Sequence, residues 1–211
     1  VVAEKPPATS SAELVELGRL FGTHRMAVFL QRRTYLSTLL VESVTEHGLF
    51  GRLQRIEVAE GSRQGRSGGK QQFLDDVTLS GGGILMDLGV HSLDLAVKIA
   101  DSNSVDLLDA SAKLDSGIDH EVHLSAVAHR ADGDVQIDAF FSWTSDLPGT
   151  TRYIYERATL VTPARPSETV WVEAPGGAGL GSVVGPPRLV GATTIFQACS
   201  LLWSNALESY G

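Results

Sequence analysis

The chain has 211 residues, 43% hydrophobic and 20% charged, with a formal net charge of −8. That length can bury a sizeable core as one domain, or one domain and a small appendage, and the acidic balance argues against a nucleic-acid binder, which would carry a basic face. No apolar run approaches the ~20 residues of a membrane helix, and a single cysteine, Cys199, excludes an internal disulfide or a Cys-based metal cluster, which makes a reducing, cytoplasmic compartment the default.

The apolar start Val1-Val2-Ala3 reads as the end of a buried strand, stopped by the prolines of Glu4-Lys5-Pro6-Pro7. Ser10-Ser11-Ala12-Glu13 reads as a capping box. It opens a helix over residues 11–21 with Leu14, Leu17 and Phe21 on one stripe and Gly22 as its stop. Lys5 is thereby placed at the C-terminal end of a strand in an α/β pattern, the edge where active sites of such sheets collect. Met26 to Leu30 is a short apolar run that delivers Gln31, Arg32 and Arg33 to the same edge. Leu36, Leu39, Leu40 and Val44 form the next helical stripe, which ends at Gly48. Residues 52–59 alternate polar and apolar and read as a strand. Residues 61–72, with Arg63, Arg66 and Lys70, read as a solvated polar loop.

Gly81-Gly82-Gly83 then open a helical pattern in which Asp87 and His91 stand four residues apart on one face. A carboxylate beside an imidazole can hold its tautomer and make it a proton acceptor near neutral pH. His91 is therefore the candidate general base, and Asp87 the candidate to orient it or to bind substrate hydroxyls. Asp94 and Lys98, also four apart, predict a salt bridge. Beyond this helix strands dominate, over residues 105–113, 120–128, 135–143, 151–161 and 168–173. Val135, Ile137, Ala139, Phe141 and Trp143 alternate strictly, so one face is buried. Strands that follow one another without helices imply antiparallel pairing. His120, His123 and His129 lie in strands without metal-ligand spacing, so no metal site is expected, and His24 and His47 read as surface residues at helix ends. Gly176 to Gly181 lacks dinucleotide-loop spacing and is followed by Pro186 and Pro187, so it reads as a loop. Ile195, Phe196, Cys199, Leu202, Trp203 and Ala206 return to a helical stripe.

Glu4-Lys5-Pro6, then Phe29-Leu30-Gln31-Arg32-Arg33, then Gly81-Gly82-Gly83 with Asp87 and His91, resemble in this order the Gfo/Idh/MocA oxidoreductases, the family of glucose-fructose oxidoreductase and inositol dehydrogenase. Weaker echoes are residues 155–160 and the closing residues 206–211. The resemblance implies NAD or NADP as cofactor and Lys5, Asp87 and His91 as the catalytic group. Lys5 would orient the reacting hydroxyl and stabilise its developing charge. It also implies that Glu4, Lys5 and Pro6 lie beside the cofactor, and that Gln31, Arg33 and Tyr35 line the substrate pocket. Relatives usually read Asn-Arg-Arg at that stretch, so Gln31 is a departure.

Family members begin with a Rossmann domain bearing a Gly-x-Gly-x-x-Gly loop, and Glu-Lys-Pro lies late in that domain. Residues 1–34 are accordingly expected to be a remnant of the dinucleotide-binding domain, and residues 35–211 the substrate-binding and oligomerisation domain. The chain is expected to be a fragment, a processed product or one half of a split enzyme, incomplete for activity alone. The fold expected is α+β: a large, mostly antiparallel, open-faced sheet with helices on one face, plus a short Rossmann remnant. The function expected is hydride transfer at a secondary alcohol of a sugar, cyclitol or related polyol. The alternatives are a non-catalytic scaffold or regulatory subunit, or half of a split dehydrogenase. Expected partners are a small polyol or sugar, a second copy in a homodimer or tetramer, and a chain supplying the nucleotide-binding half; no nucleic acid and no membrane are expected.

Overall fold

The computed structural model of the chain describes residues 2–22, 25–63, 74, 76–102, 104–167, 169–175 and 179–184. Two short strands, β1 (Val2–Ala3) and β2 (Ala27–Val28), pair in parallel as a separate two-stranded sheet. Between them runs helix α1 (Ser11–Phe21). Its start follows the capping chemistry: Ser10 Oγ accepts from the Glu13 N–H at 3.3 Å, and the Glu13 carboxylate reaches back to the N–H and hydroxyl of Thr9. Two expectations fail here. No residue of α1 is buried, Leu14 being 50% exposed, and Val2 is 58% exposed rather than buried. A sheet of two two-residue strands is too small to cover either.

The rest is one eight-stranded sheet in the order β10-β9-β8-β7-β3-β6-β5-β4. Its strands are β3 (Leu53–Gly61), β4 (Ser104–Asp115), β5 (Ile118–His129), β6 (Val135–Ser142), β7 (Thr150–Tyr155), β8 (Thr159–Pro163), β9 (Thr169–Glu173) and β10 (Gly179–Val184). Every neighbouring pair is antiparallel except β3 and β6, which run parallel with Arg55 opposite Gln136 and Gly61 opposite Ser142. The single strand expected over residues 151–161 is two strands, because the chain turns back at residues 156–158 and pairs β7 with β8.

Helices cover one face. α2 (Leu36–Glu46) and α4 (Val90–Ala100) bring Val41, Val44, Ala96 and Ile99 onto Ile56, Val58, Val122, Ile137, Phe141 and Leu160. Each large side chain buried there contributes roughly 1.5–3 kcal/mol relative to exposure. A short helix α3 (Val77–Ser80) ends at Gly81, whose φ of +71° is the left-handed stop glycine supplies readily. A π-helical stretch, Leu85–Gly89, then runs straight into α4. The opposite sheet face is open and polar, with Arg55 donating to Asp138 at 2.9 Å and His123 stacked on Phe140 at 3.8 Å. Edge strand β4 is exposed along its whole length, Leu107, Leu108 and Leu114 included. The helix expected over residues 195–206, the loop around 176–178 and the Arg66–Lys70 stretch lie outside the described residues. Among the described residues no helix is long and apolar enough to cross a membrane.

Candidate active site

Four segments converge at one end of the large sheet: the chain just after β1, the 3-10 turn Gln31–Thr34 after β2, the end of β3, and the π-helical stretch with the start of α4. Lys5 comes from the first, its peptide to Pro6 being cis. Lys5 Nζ donates to the main-chain carbonyl of Asp87 and lies 3.4 Å from Asp87 Oδ1. The carboxylate expected to hold His91 therefore holds Lys5 instead; among the described residues no hydrogen bond joins Asp87 to His91.

His91 is 4% exposed, and its Nδ1 is buried without a hydrogen-bond partner. Burial first, then the charges of Arg32 and Lys5, push its pKa down to about 3. The ring is therefore neutral throughout the physiological range. A buried ring nitrogen left unpaired is costly, and His91 lines neither of the clefts described below.

Beside it lies a closed network. Arg32 Nη1 donates to Glu60 Oε2 at 2.8 Å and to Ser92 Oγ at 2.9 Å, and Nη2 donates to Glu60 Oε1 at 2.6 Å. Ser92 Oγ donates in turn to Glu60 Oε2 at 2.8 Å. All three side chains are buried, and the fork-to-fork geometry is the strongest form of ion pair. Arg32 is thus the arginine of the Gln31-Arg32-Arg33 stretch that reaches the site. Arg33 turns away and grips Asp94, donating from Nε to Oδ2 at 2.8 Å and from Nη2 to Oδ1 at 2.5 Å. That overturns the expected Asp94–Lys98 bridge; Lys98 pairs with Glu42 of α2, because α4 presents Asp94 to the 3-10 turn and Lys98 to α2. Tyr35 is 7% exposed and belongs to the core. Gln31 Oε1 is buried without a partner.

Two clefts meet at Asp87. One, of about 580 Å³, is lined by Lys5, Pro6, Thr9, Gly83, Met86 and Asp87 among others. Its mix of apolar wall and ammonium fits a flat, weakly polar ring; Lys5 and Pro6 line it, whereas Glu4 is exposed and outside its lining. The second, of about 630 Å³, is lined by Arg32, Glu60, Asp87, Trp143, Asp146 and Arg165 among others. Gln31, Arg33 and Tyr35 line neither. An indole beside hydrogen-bonding carboxylates is suited to a polyhydroxylated ligand.

Asp119, at the start of β5, is a site residue that nothing in the sequence pattern singles out. Its carboxylate accepts from the main-chain N–H of Gly83 at 2.6 Å and of Leu85 at 2.8 Å. No local signal could have found it, since the contact is between a strand and a glycine turn distant in the chain. The histidines of the open face serve other ends: His129 is bonded by Asp106 and Asp134, each at 3.1 Å, which raises its pKa. Among the described residues no three His, Cys, Asp or Glu side chains are grouped as metal ligands.

The family model described as the GFO/IDH/MocA C-terminal domain matches residues 38–161. No curated protein matches the chain. Among solved structures, the aldose-aldose oxidoreductase of Caulobacter crescentus, complexed with glycerol, superposes with a TM-score of 0.79 at 16% identity, over 99% of this chain and 62% of that one. An inositol dehydrogenase homolog of Azotobacter vinelandii, complexed with NAD+, gives 0.78 at 17% identity, over 100% and 60%. A levoglucosan dehydrogenase complexed with NADH and levoglucosan gives 0.78 at 13% identity, over 100% and 65%. The chain thus spans under two thirds of the length of each of these structures, and at such identities the likeness is one of fold.

Proposed function

The chain belongs to the GFO/IDH/MocA family, and from that premise we propose that it carries the substrate half of an NAD(P)-dependent oxidoreductase acting at a secondary alcohol of a sugar, cyclitol or related polyol. Residues 1–34 would be the edge of the dinucleotide-binding domain and residues 35–211 the substrate domain. The observation that carries the reading is the contact of Lys5 with Asp87, the residue that lines both clefts, beside a buried His91 that itself lines neither cleft, whose Nδ1 has no partner and whose ring is kept neutral by burial and by the charges of Arg32 and Lys5.

The cleft lined by Lys5, Pro6 and Met86 would take the nicotinamide, and the cleft lined by Arg32, Glu60 and Trp143 the polyol. When bound, the dinucleotide supplies the hydride acceptor. The protein does the rest. His91 accepts the hydroxyl proton as the carbinol C–H pair leaves and the carbonyl forms. Lys5 stabilises the alkoxide that develops, and Asp87 keeps the Lys5 ammonium in place. With a pKa near 3 the imidazole is a weak base. Alkoxide formation therefore leans on the cation of Lys5, and the proton on His91 is readily passed on to water once the cleft opens.

The structures described above are complexes with glycerol, with NAD+, or with NADH and levoglucosan. We extend that chemistry here as a class, without choosing between NAD and NADP. We further propose a homodimer, or a tetramer built from dimers, joined through the open sheet face.

The test is to incubate the protein with NAD+ or NADP+ and a panel of aldoses, cyclitols and polyols, alone and with a nucleotide-binding domain supplied in trans, and to follow nicotinamide fluorescence. Reduction with at least one polyol is expected. No reduction in either arm, with no polyol binding by calorimetry, would overturn the proposal.

A further inference from the structure

Asp87 and Lys5 meet only if the main chain at Asp87 is held in one place, and α3 cannot do this because it stops at Gly81. The hold comes from across the sheet. Asp119 stands at the start of β5, on the strand that carries Val122 and Ala126 in the core. Its two carboxylate oxygens take one N–H each, Oδ1 from Gly83 and Oδ2 from Leu85. These are the first donors of the turn that becomes the π-helical stretch, groups that a helix start leaves unsatisfied. A carboxylate is the favoured partner there, since the exposed N–H dipoles attract negative charge. Gly83 also lies directly on the Asp119 main chain: a Cβ on Gly83 would stand 2.0 Å from the Asp119 carbonyl oxygen and 2.8 Å from its nitrogen. Glycine at 83 thus brings two backbones into contact. The chain of contacts then continues inward. Asp87 N donates to Gly83 O at 3.0 Å, and Asp87 O accepts from Lys5 Nζ.

We propose that Asp119 is a positioning residue for the site, clamping Gly83 and Leu85 so that the Asp87 carbonyl and carboxylate stand where Lys5 can engage them. The proposal rests on the reading of Lys5, Asp87 and His91 as an oxidoreductase site only for its kinetic readout; the clamp itself is a statement about the chain. Asp119 itself lines neither cleft, so its effect is on the placement of Asp87 and, through it, of the Lys5 ammonium. A displacement on the ångström scale of a catalytic group is worth on the order of 10²-fold in rate.

Three variants test it. Asp119→Asn keeps the volume and one acceptor, and Asp119→Ala removes both. Ile118→Ala is the control: Ile118 is 3% exposed, so its truncation loosens the same end of β5 and leaves the carboxylate intact. The activity-independent readout is amide hydrogen exchange by NMR. Exchange at Asp87 N–H is expected to quicken by on the order of tenfold in both Asp119 variants relative to Ile118→Ala, the loss of a clamp rather than of the strand. The kinetic readout is turnover on whichever polyol the protein oxidises. Asp119→Ala should lose roughly 10²-fold in kcat, with KM for the dinucleotide unchanged within a factor of about two, and Asp119→Asn should fall between it and the parent. Unchanged Asp87 exchange in both Asp119 variants overturns the proposal whether or not the protein turns over. So does an Ile118→Ala variant that matches Asp119→Ala in both exchange and kcat. Absence of turnover in the parent would instead count against the oxidoreductase reading, and the exchange measurement would still decide the clamp.

Discussion

Lys5 and Asp87, 82 residues apart in sequence, meet through two atoms of the aspartate: Lys5 Nζ donates to the main-chain carbonyl and faces the carboxylate at 3.4 Å. A lysine held twice by one residue has a fixed direction as well as a fixed charge. Lys5→Met is therefore expected to reduce turnover by on the order of 10²–10³-fold. Asp87→Asn should cost less, because the carbonyl contact survives. The double variant should be little worse than Lys5→Met alone, since the two residues act through one contact. His91→Ala should lose far more turnover than binding, by ~10²–10⁴-fold. Steady-state kinetics on the four variants decides it; losses from Lys5 and Asp87 that multiply in full would show independent action.

The low pKa of His91 makes a prediction with a definite sign. The unfolded chain takes up this proton near 6.5, whereas the native state resists it until about 3. Stability from keeping the ring neutral is therefore complete above pH 6.5 and is lost as pH falls from 6.5 toward 3, by up to a few kcal/mol. The carboxylates with lowered pKa values, Glu13, Asp76, Glu121 and Asp132, add their own loss only below the ordinary 4.5 of Glu or 3.8 of Asp. His129, whose pKa is raised, acts in the opposite sense but is exposed. Urea unfolding between pH 6.5 and 5 should show a downward slope that His91→Asn flattens. A slope unchanged in that variant would place the titrating group elsewhere.

The same neutrality governs the rate. In kcat/KM, which reports the free enzyme, no inflection near 6.5 is expected from His91, because the ring is already neutral there. A clear acid limb centred on the ordinary imidazole value would show that His91 is hydrated and basic in the working enzyme.

Arg32 and Arg33 are adjacent and chemically identical, yet their removal should differ several-fold in cost. Arg32→Met strands the Glu60 carboxylate in a buried pocket, a loss of roughly 3–5 kcal/mol. Arg33→Met breaks a pair whose arginine is 43% exposed, which is worth about 1 kcal/mol or less. Denaturant midpoints at fixed slope measure both, and equal shifts would contradict the buried network.

Two glycine-to-alanine changes should move stability in opposite directions. Gly18 sits in α1 with nothing within 4 Å of the point where an alanine methyl group would stand, so Gly18→Ala should stabilise by roughly 0.5–1 kcal/mol through helix propensity. Gly83→Ala drives a methyl group into the Asp119 main chain and should destabilise by more than that. Thermal melts of the two variants against the parent are sufficient.

Much of the architecture is legible in patterns local to the chain. The capping residues Ser10 and Glu13 and the alternation of Val135, Ile137, Ala139 and Phe141 act within a few residues. What escapes such patterns depends on contacts between distant segments. The parallel pairing of β3 with β6 is invisible to a reading that joins strands in order. The break between β7 and β8 is hidden because residues 156–158 carry neither glycine nor proline. The choice of Arg32 over Arg33 turns on a 3-10 geometry that follows β2, and the role of Asp119 on a glycine turn packed beside it in space. Asp87 does stand beside the lysine of the site, but its partner is not the one its spacing suggests: four residues imply a side-chain neighbour on the same helix, and the π-helical stretch gives the carboxylate to Lys5.

The position of β3 bears on how the protein is made. This strand is central, yet both its neighbours, β6 and β7, are later in the chain than the β4–β5 hairpin that separates them from it. During synthesis β3 waits with both edges unpaired until residue 142 has left the ribosome, and with one edge unpaired until residue 155 has. Pairing at such sequence distance is slow, and bare edges invite association between nascent chains. Yield in a recombinant host should therefore respond more to translation speed, growth temperature and chaperone supply than to any substitution that strengthens the finished sheet.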